Sequence, residues 1–531
     1  MEIKANLIDI ENQKIYPAKI EIKNQKINKI IKIDEKLDTF ILPGFVDSHI
    51  HIESSMLIPS EFAKIAVKHG TVATVSDPHE IANILGIKGV DFMIENGKKS
   101  GFKFYFGASP CVPATPFETS GDILTPEDIK NLLKRDDIYY LSEVMNFPGV
   151  INNDEDMIKK IEYAKQVNKP IDGHSPGLRG SDLDKYLKAG IQTDHEAFSY
   201  EEGKEKAQKG MIIQIREGSA AKNYEALHPL IDEFDNLMFC SDDKHPNDLV
   251  KGHINQLVIR AIKDNHDLFR VLKMACINPV KHYNLDVGLL REGDFADFIE
   301  ISSLDDFKIL RTFINGKCVY DGDVYFNDVE VENINNFKTN LKNIEDFKLP
   351  KCSEYHIIDA IEGELITKDE IKHINIPNVD EDVLYISVIN RYKNTKPAIA
   401  LVNGFGLKRG AIASSVAHDS HNIIAVGCDL ESLTKAVNIV IEHKGGICAV
   451  GDEVKFLPLE IAGLMSKENG IKVAKKYEEI DKYTKDVLGS KLNAPFMTLS
   501  FMALLVIPEI KLSDKGLFDA RSFHFIQECG V

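Results

Sequence analysis

Two histidines one residue apart, His49 and His51, close the apolar run FVDSHIHIE. Alternate side chains of an extended strand face the same way, so both imidazoles point to one place, as a shared cation requires. Four more ligand types stand at the ends of other short apolar runs: Glu143 in IYYLSEV, His174 in PIDGHSPG, His195 in IQTDHE and Asp242 in LMFCSDD. Such a donor set suits two divalent cations. A carboxylate often bridges them, and Glu143 is placed to serve. Paired cations lower the pKa of a bound water to near neutrality, and Asp242 is placed to bind one and to carry a proton from water to a leaving group. Imidazoles with carboxylates accept zinc, manganese or iron about equally. Singly, each residue has an ordinary structural explanation, such as an Asp242–Asp243 pair capping a helix. The series points to a metal-dependent hydrolase.

The elements that must position these residues follow from periodicity. Eight strand candidates precede residue 245: FVDSHIHI, TVATVSD, KFYFGAS, IYYLSEV, PIDGHS, IQTDHE, MIIQIRE and LMFCSDD. Amphipathic segments such as PSEFAKIAVKHG, DMIKKIEYAKQV and SDLDKYLKAG lie between them. In TPEDIKNLL, Thr125 is the N-cap, Pro126 takes N1 and Asp128 completes a variant capping box. Gly70 and Gly190 fit helix C-terminal caps. The alternation predicts an α/β chain with a (β/α)8 metal-dependent hydrolase barrel over residues 42-284, whose chemistry gathers at the C-terminal ends of the strands. Residues 1-41 alternate apolar and polar positions and read as antiparallel strands. GLLREGDFADFIEI and KILRTFINGKCVYDG return to strands, so 1-41 and 285-335 are expected to form a small split β domain. A polar connector follows, and 350-531 is expected to be a C-terminal α+β domain.

The formal net charge of −18 argues against a nucleic-acid backbone or an anionic membrane as partner. A small molecule fits better. The 8 cysteines are scattered without a CxxC pair and read as reduced, mostly buried residues. The charged start of the chain has no apolar signal-peptide core, and no apolar stretch is long enough to span a bilayer, so a cytoplasmic enzyme is expected.

The segments PGFVDSHIHIESS, SDPHEIANILG, GHSPGLRG, TDHE and CSDDKHP resemble the adenine deaminases of the amidohydrolase superfamily. The resemblance continues through AHDSHNIIAVG, LPLEIAGLMS and NAPFMTLSFMALLVIPEIKL, and so covers nearly the whole chain. It implies hydrolysis of adenine to hypoxanthine and ammonia in purine salvage. It implies two divalent metal ions, manganese first with iron or zinc as alternatives. His49 and His51 would bind the first with Asp242, and His174 and His195 the second. Glu143 would bridge, where many superfamily members carry a carboxylated lysine. Asp243 is the candidate for the imidazole side of the purine, with a salt bridge or cap as its alternative. Arg216 and Glu217 end the seventh strand; Glu217 reads as a purine-edge partner or as half of an internal ion pair. His79 and Glu80 follow the second strand and read as pocket lining or as a helix cap. In the last domain, His418, Asp419 and His421 form a polar cluster, read first as a self-stabilised turn, then as a lid, then as a further metal site. Surfaces for a homodimer lie on the split β domain and the C-terminal domain. Rival readings are hydrolysis of another aminopurine or a cyclic amide, and a non-catalytic metal-binding scaffold on the same fold. The cytidine-type zinc site is absent, because HxE with PCxxC does not occur.

Overall fold

The computed structural model describes residues 1–374 and 376–529. Among them, eight parallel strands form a barrel: Phe45–Ile50, Thr71–Ser76, Lys103–Phe106, Leu141–Val144, Ile171–Gly173, Thr193–Asp194, Ile212–Arg216 and Leu237–Cys240. A bridge from Ala108 to Leu141 joins the third strand to the fourth, and the Gln192 N–H bonds the Ile171 carbonyl between the fifth and sixth. The ring closes where Ile50 meets Asp242. Closure therefore brings the first and last ligand-bearing segments into contact.

Two strands pair over less length than their sequences predict. PIDGHS is paired over Ile171–Gly173 and IQTDHE over Thr193–Asp194. Gly173 explains part of this, because a Cβ there would lie 2.4 Å from the Thr193 carbonyl oxygen, and only glycine admits that approach. Helices Pro59–Ala66, Glu155–Gln166 and Gly180–Ala189 cover the outside. The Thr125–Asp128 capping box is formed, and Gly70 and Gly190 end their helices with φ of 78° and 110°.

The chain's first strands and those at Phe298–Ile301, Ile309–Ile314 and Lys317–Tyr320 share one sheet, seven-stranded among the described residues. Its alternating residues Ile3, Ala5 and Leu7 pack with Ile20, Phe298 and Phe313. One strand departs from expectation: Phe40–Pro43 runs parallel to Glu2–Asp9. It leads straight into the first barrel strand, which fixes its direction.

From Tyr355 onward a mixed sheet carries the helix Leu430–Glu442 on one face, against Ile357, Tyr385, Ile399 and Leu401. The neighbours of opposite parity, Ile358, Leu384, Ile386 and Val402, face the other way and join the same apolar core as the barrel. The period of two in a strand divides these sets, and the second holds the last domain against the barrel mouth. The expectation that all cysteines are free is corrected: Cys352 and Cys529 form a disulfide. An antiparallel bridge between Tyr355 and Cys529 brings together segments 177 residues apart, a pairing that spacing cannot reveal. The other cysteines, Cys111, Cys240, Cys276, Cys318, Cys428 and Cys448, are free. Among the described residues no helix is long and apolar enough to cross a membrane.

Candidate metal centre and active site

Barrel closure sets the geometry of the centre. The Asp242 N–H donates to the His49 carbonyl at 2.9 Å, and the His51 N–H donates to the Asp242 carbonyl at 3.3 Å. Asp242 takes the left-handed conformation, φ 53°, and does not cap a helix; His245 precedes the helix Pro246–Lys251. Beneath it, Asp47 accepts from the Ser241 N–H at 3.0 Å and lies 2.7 Å from His253 Nε2. Asp47 is two residues before His49 and Ser241 one before Asp242, so this carboxylate ties together the two segments that carry three ligand candidates.

All six candidates converge. His51 Nε2 lies 3.2 Å from each of His49 Nε2, Asp242 Oδ1 and Glu143 Oε1. His49 Nε2 is 3.5 Å from Asp242 Oδ1. Glu143 Oε2 is 2.7 Å from His174 Nδ1 and 3.2 Å from His195 Nε2. An imidazole nitrogen has one proton or one lone pair, and cannot satisfy three such neighbours. A cation among them can. Donors about 2.1 Å from a metal stand about 3.0–3.4 Å from one another at octahedral or tetrahedral edges, which is the spacing seen here. The residues present fit two cations that share Glu143, with His49, His51 and Asp242 on one side and His174 and His195 on the other.

The surroundings fix these groups. Burial alone would raise the Asp242 carboxyl, but Arg216, His49 and His51 together outweigh it and hold it well below the usual range. Arg216 Nη1 donates to Asp242 Oδ2 at 2.6 Å, and the guanidinium also pairs with Glu196. Lys206, fully buried, donates to Asp194 at 2.9 Å, Glu202 at 2.7 Å and the Ser175 carbonyl at 2.7 Å. It secures the residues next to His174 and His195.

Residues 40–319 match the amidohydrolase family, and residues 360–524 match the adenine deaminase C-terminal domain. An adenine deaminase from Sulfurovum sp. (strain NBC37-1) is 61% identical over 100% of both chains. One from Borreliella burgdorferi is 53% identical over 99% of both. The chain belongs to the adenine deaminase family. Among solved structures, a beta-aspartyl dipeptidase from Fervidobacterium islandicum AW-1 aligns with a TM-score of 0.47 at 17% identity, over 62% of this chain and 99% of that one.

In this family member the remaining mouth residues divide. His79 and Glu80 line the cavity, and His79 Nδ1 lies 3.4 Å from Glu143 Oε1 and 3.2 Å from Asp77 Oδ2. Asp243 also lines it and accepts the Ser54 hydroxyl at 2.5 Å. Arg216 reaches the cavity wall, but its guanidinium is engaged by Glu196 and Asp242. Glu217 follows the ion-pair alternative: its carboxylate pairs with Arg260 at 3.2 Å, and it is not among the residues lining the cavity. The turn reading of the HDSHN cluster is borne out, and a second role is added to it. A turn exists, with the His421 N–H donating to the Ala417 carbonyl at 2.7 Å, yet His418 and Asp419 form part of the cavity wall. Phe501, Leu504 and Leu365 of the same domain add an apolar portion.

The cavity measures about 40 Å³. A larger one, about 480 Å³, shares Met145 and His174 with it and runs along the seam with Val506, Ile507 and Pro508. Sequence reasoning missed Asp77, Glu196 and the apolar residues. Glu196 directly follows His195 and Asp77 lies two residues before His79, so adjacency was a usable signal for both.

Proposed function

We propose that this chain hydrolyses adenine to hypoxanthine and ammonia, as its full-length relatives are named to do. The observation that carries the reading is the meeting of Glu143 with His51, His174 and His195 beside the His49–Asp242 pair. In this reading His49, His51 and Asp242 would hold one divalent cation, His174 and His195 a second, and Glu143 would serve both. When bound, the cations supply Lewis acidity and bring the pKa of water near neutrality.

The protein's own groups then have definite tasks. Arg216 holds Asp242 by its Oδ2, and the carboxylate accepts the proton of the attacking water and returns it to the departing amine. Water adds to the carbon bearing the amine, the carbon–nitrogen bond breaks, and the proton leaves with ammonia. Asp243, held by Ser54, accepts an N–H of the purine. His79 orders the approach beside Glu143. The apolar residues Phe501, Leu504 and Leu365 cover the ring and exclude bulk water, and the seam cavity is the route in and out.

Manganese is the proposed native metal, with iron or zinc as alternatives. The same reading places the protein in the cytoplasm, in purine salvage, as a homodimer, with a split β domain of 1-41 plus 285-335, a barrel of 42-284 and a C-terminal domain of 350-531. The test is ammonia release from adenine by purified protein reconstituted anaerobically with manganese, with hypoxanthine formed in equal amount. A folded protein with two metals per chain that releases no ammonia would sink the substrate assignment. Parallel reconstitution with iron and zinc ranks the metals, and light scattering reads the assembly.

A further inference from the structure

The histidines of the C-terminal domain take no part in that proton transfer, and one of their nitrogens has no assigned partner. The Ala417 N–H donates to His421 Nδ1 at 3.1 Å. A backbone amide only donates, so Nδ1 carries the lone pair and Nε2–H is the donor to Glu80 Oε2. His418 Nδ1 lies 2.6 Å from the other oxygen of Glu80. Both carboxylate oxygens of this barrel residue therefore face histidines of the C-terminal domain. The ring of Phe501 packs on the His418 imidazole, with centroids 5.3 Å apart and an interplanar angle of 29°. His418 is thus fixed in place, and with Nδ1–H toward Glu80 its Nε2 donates when the ring carries both protons. Its Nε2 has no hydrogen-bond partner among the described residues and lies 3.9 Å from Asp243 Oδ2, in the wall of the catalytic cavity.

A donor beside an acceptor at that spacing fits one kind of ligand edge. Where a ring nitrogen and an N–H stand side by side on a nucleobase, their partners sit about 2.9 Å out and about 3–4 Å from each other. We propose that His418 is a substrate-reading residue that grips such an edge of the purine together with Asp243, and that Glu80 is the positioning residue that aims it. Burial opposes charge on His418, but Glu80 and Asp243 outweigh it and push its pKa up to about 9, which keeps a proton on Nε2. Glu80 acts in this proposal through His418, which its carboxylate faces.

The proposal rests on the deaminase reading, and its test separates the two. Metal-loaded full-length wild type, H418A, H418Q and E80Q would be compared on adenine, 3-deazaadenine and 7-deazaadenine. Wild type should lose about 10–100-fold in kcat/KM on the analogue that lacks the nitrogen being read. H418A should lose a similar factor on adenine, mostly in KM, and should discriminate less than about 3-fold between adenine and that analogue. E80Q should fall between, with KM again the parameter that moves. Metal content and thermal melts confirm intact protein, and H418Q, closer in shape, carries the comparison if H418A does not fold. Kinetics of the His418 variants within about 2-fold of wild type, or undiminished discrimination in them, overturns the proposal alone. Failure of wild type to release ammonia from adenine overturns it together with the deaminase reading.

Discussion

Histidines from the barrel and from the C-terminal domain face one another across a single cavity, but their hydrogen bonds differ in kind. In the barrel, His51 Nε2 has three neighbours at 3.2 Å, a crowd that one proton or one lone pair cannot serve. In the C-terminal domain, His421 has both nitrogens satisfied, one by a backbone amide and one by Glu80. Buried polar groups are ordinarily paired. Crowding beyond what hydrogen bonds can satisfy fits a cation site, and the pairing of both His421 nitrogens fits a clamp. Counting histidines would have treated the two clusters alike.

The comparison breaks most sharply at Asp242. Asp242→Asn keeps the shape but loses the proton acceptor and a ligand charge; turnover should fall by about 10⁴-fold, and retention of most activity in a folded, metal-loaded variant would remove its assigned role. Glu143→Gln should come next, with activity down about 10³-fold and bound metal, by elemental analysis, below two per chain. Supporting groups of the barrel should matter less. Lys206→Met leaves Asp194 and Glu202 unpaired beneath His174 and His195, and about a 10–100-fold loss of metal affinity is expected, read by chelator titration. The smallest effect lies in the C-terminal domain, at the contrasting buried lysine. Lys511 donates to the Leu365 carbonyl at 2.6 Å, and burial lowers its pKa from 10.5 to about 7. Between pH 7 and 10.5 the unfolded chain holds this proton and the folded chain does not, so the residue's destabilising effect fades as pH rises through that window. Lys511→Met should therefore raise Tm by about 4 °C at pH 6.5 and by little at pH 10.5; an equal rise at both would contradict the assigned cause.

Much of the barrel was readable because its signal is local. Each of the eight apolar runs became a strand, and the ligand candidates fell at strand ends as the alternation required. The readings that stayed open or incomplete concerned side chains whose partners are remote. Glu217 lies beside Arg216 in sequence, yet its partner is Arg260. The HDSHN segment is a turn by its own hydrogen bonds, and only Glu80, more than three hundred residues earlier, shows that it is also part of the site wall. Cys352 and Cys529 resemble the other scattered cysteines until a bridge between distant segments pairs them.

The sequence by itself determined the barrel, the order of the ligand candidates and the family, since strand period, helix caps and motif residues act over a few neighbours along the chain. Tertiary structure alone decided which atoms meet. Closure between Ile50 and Asp242 set the first ligand group, and the shared apolar core of barrel and C-terminal domain carried His418 to Asp243. The physical reason is range: a hydrogen bond or a coordination sphere is specified within about 3 Å, and bringing residues hundreds of positions apart to that distance is the work of packing the whole core.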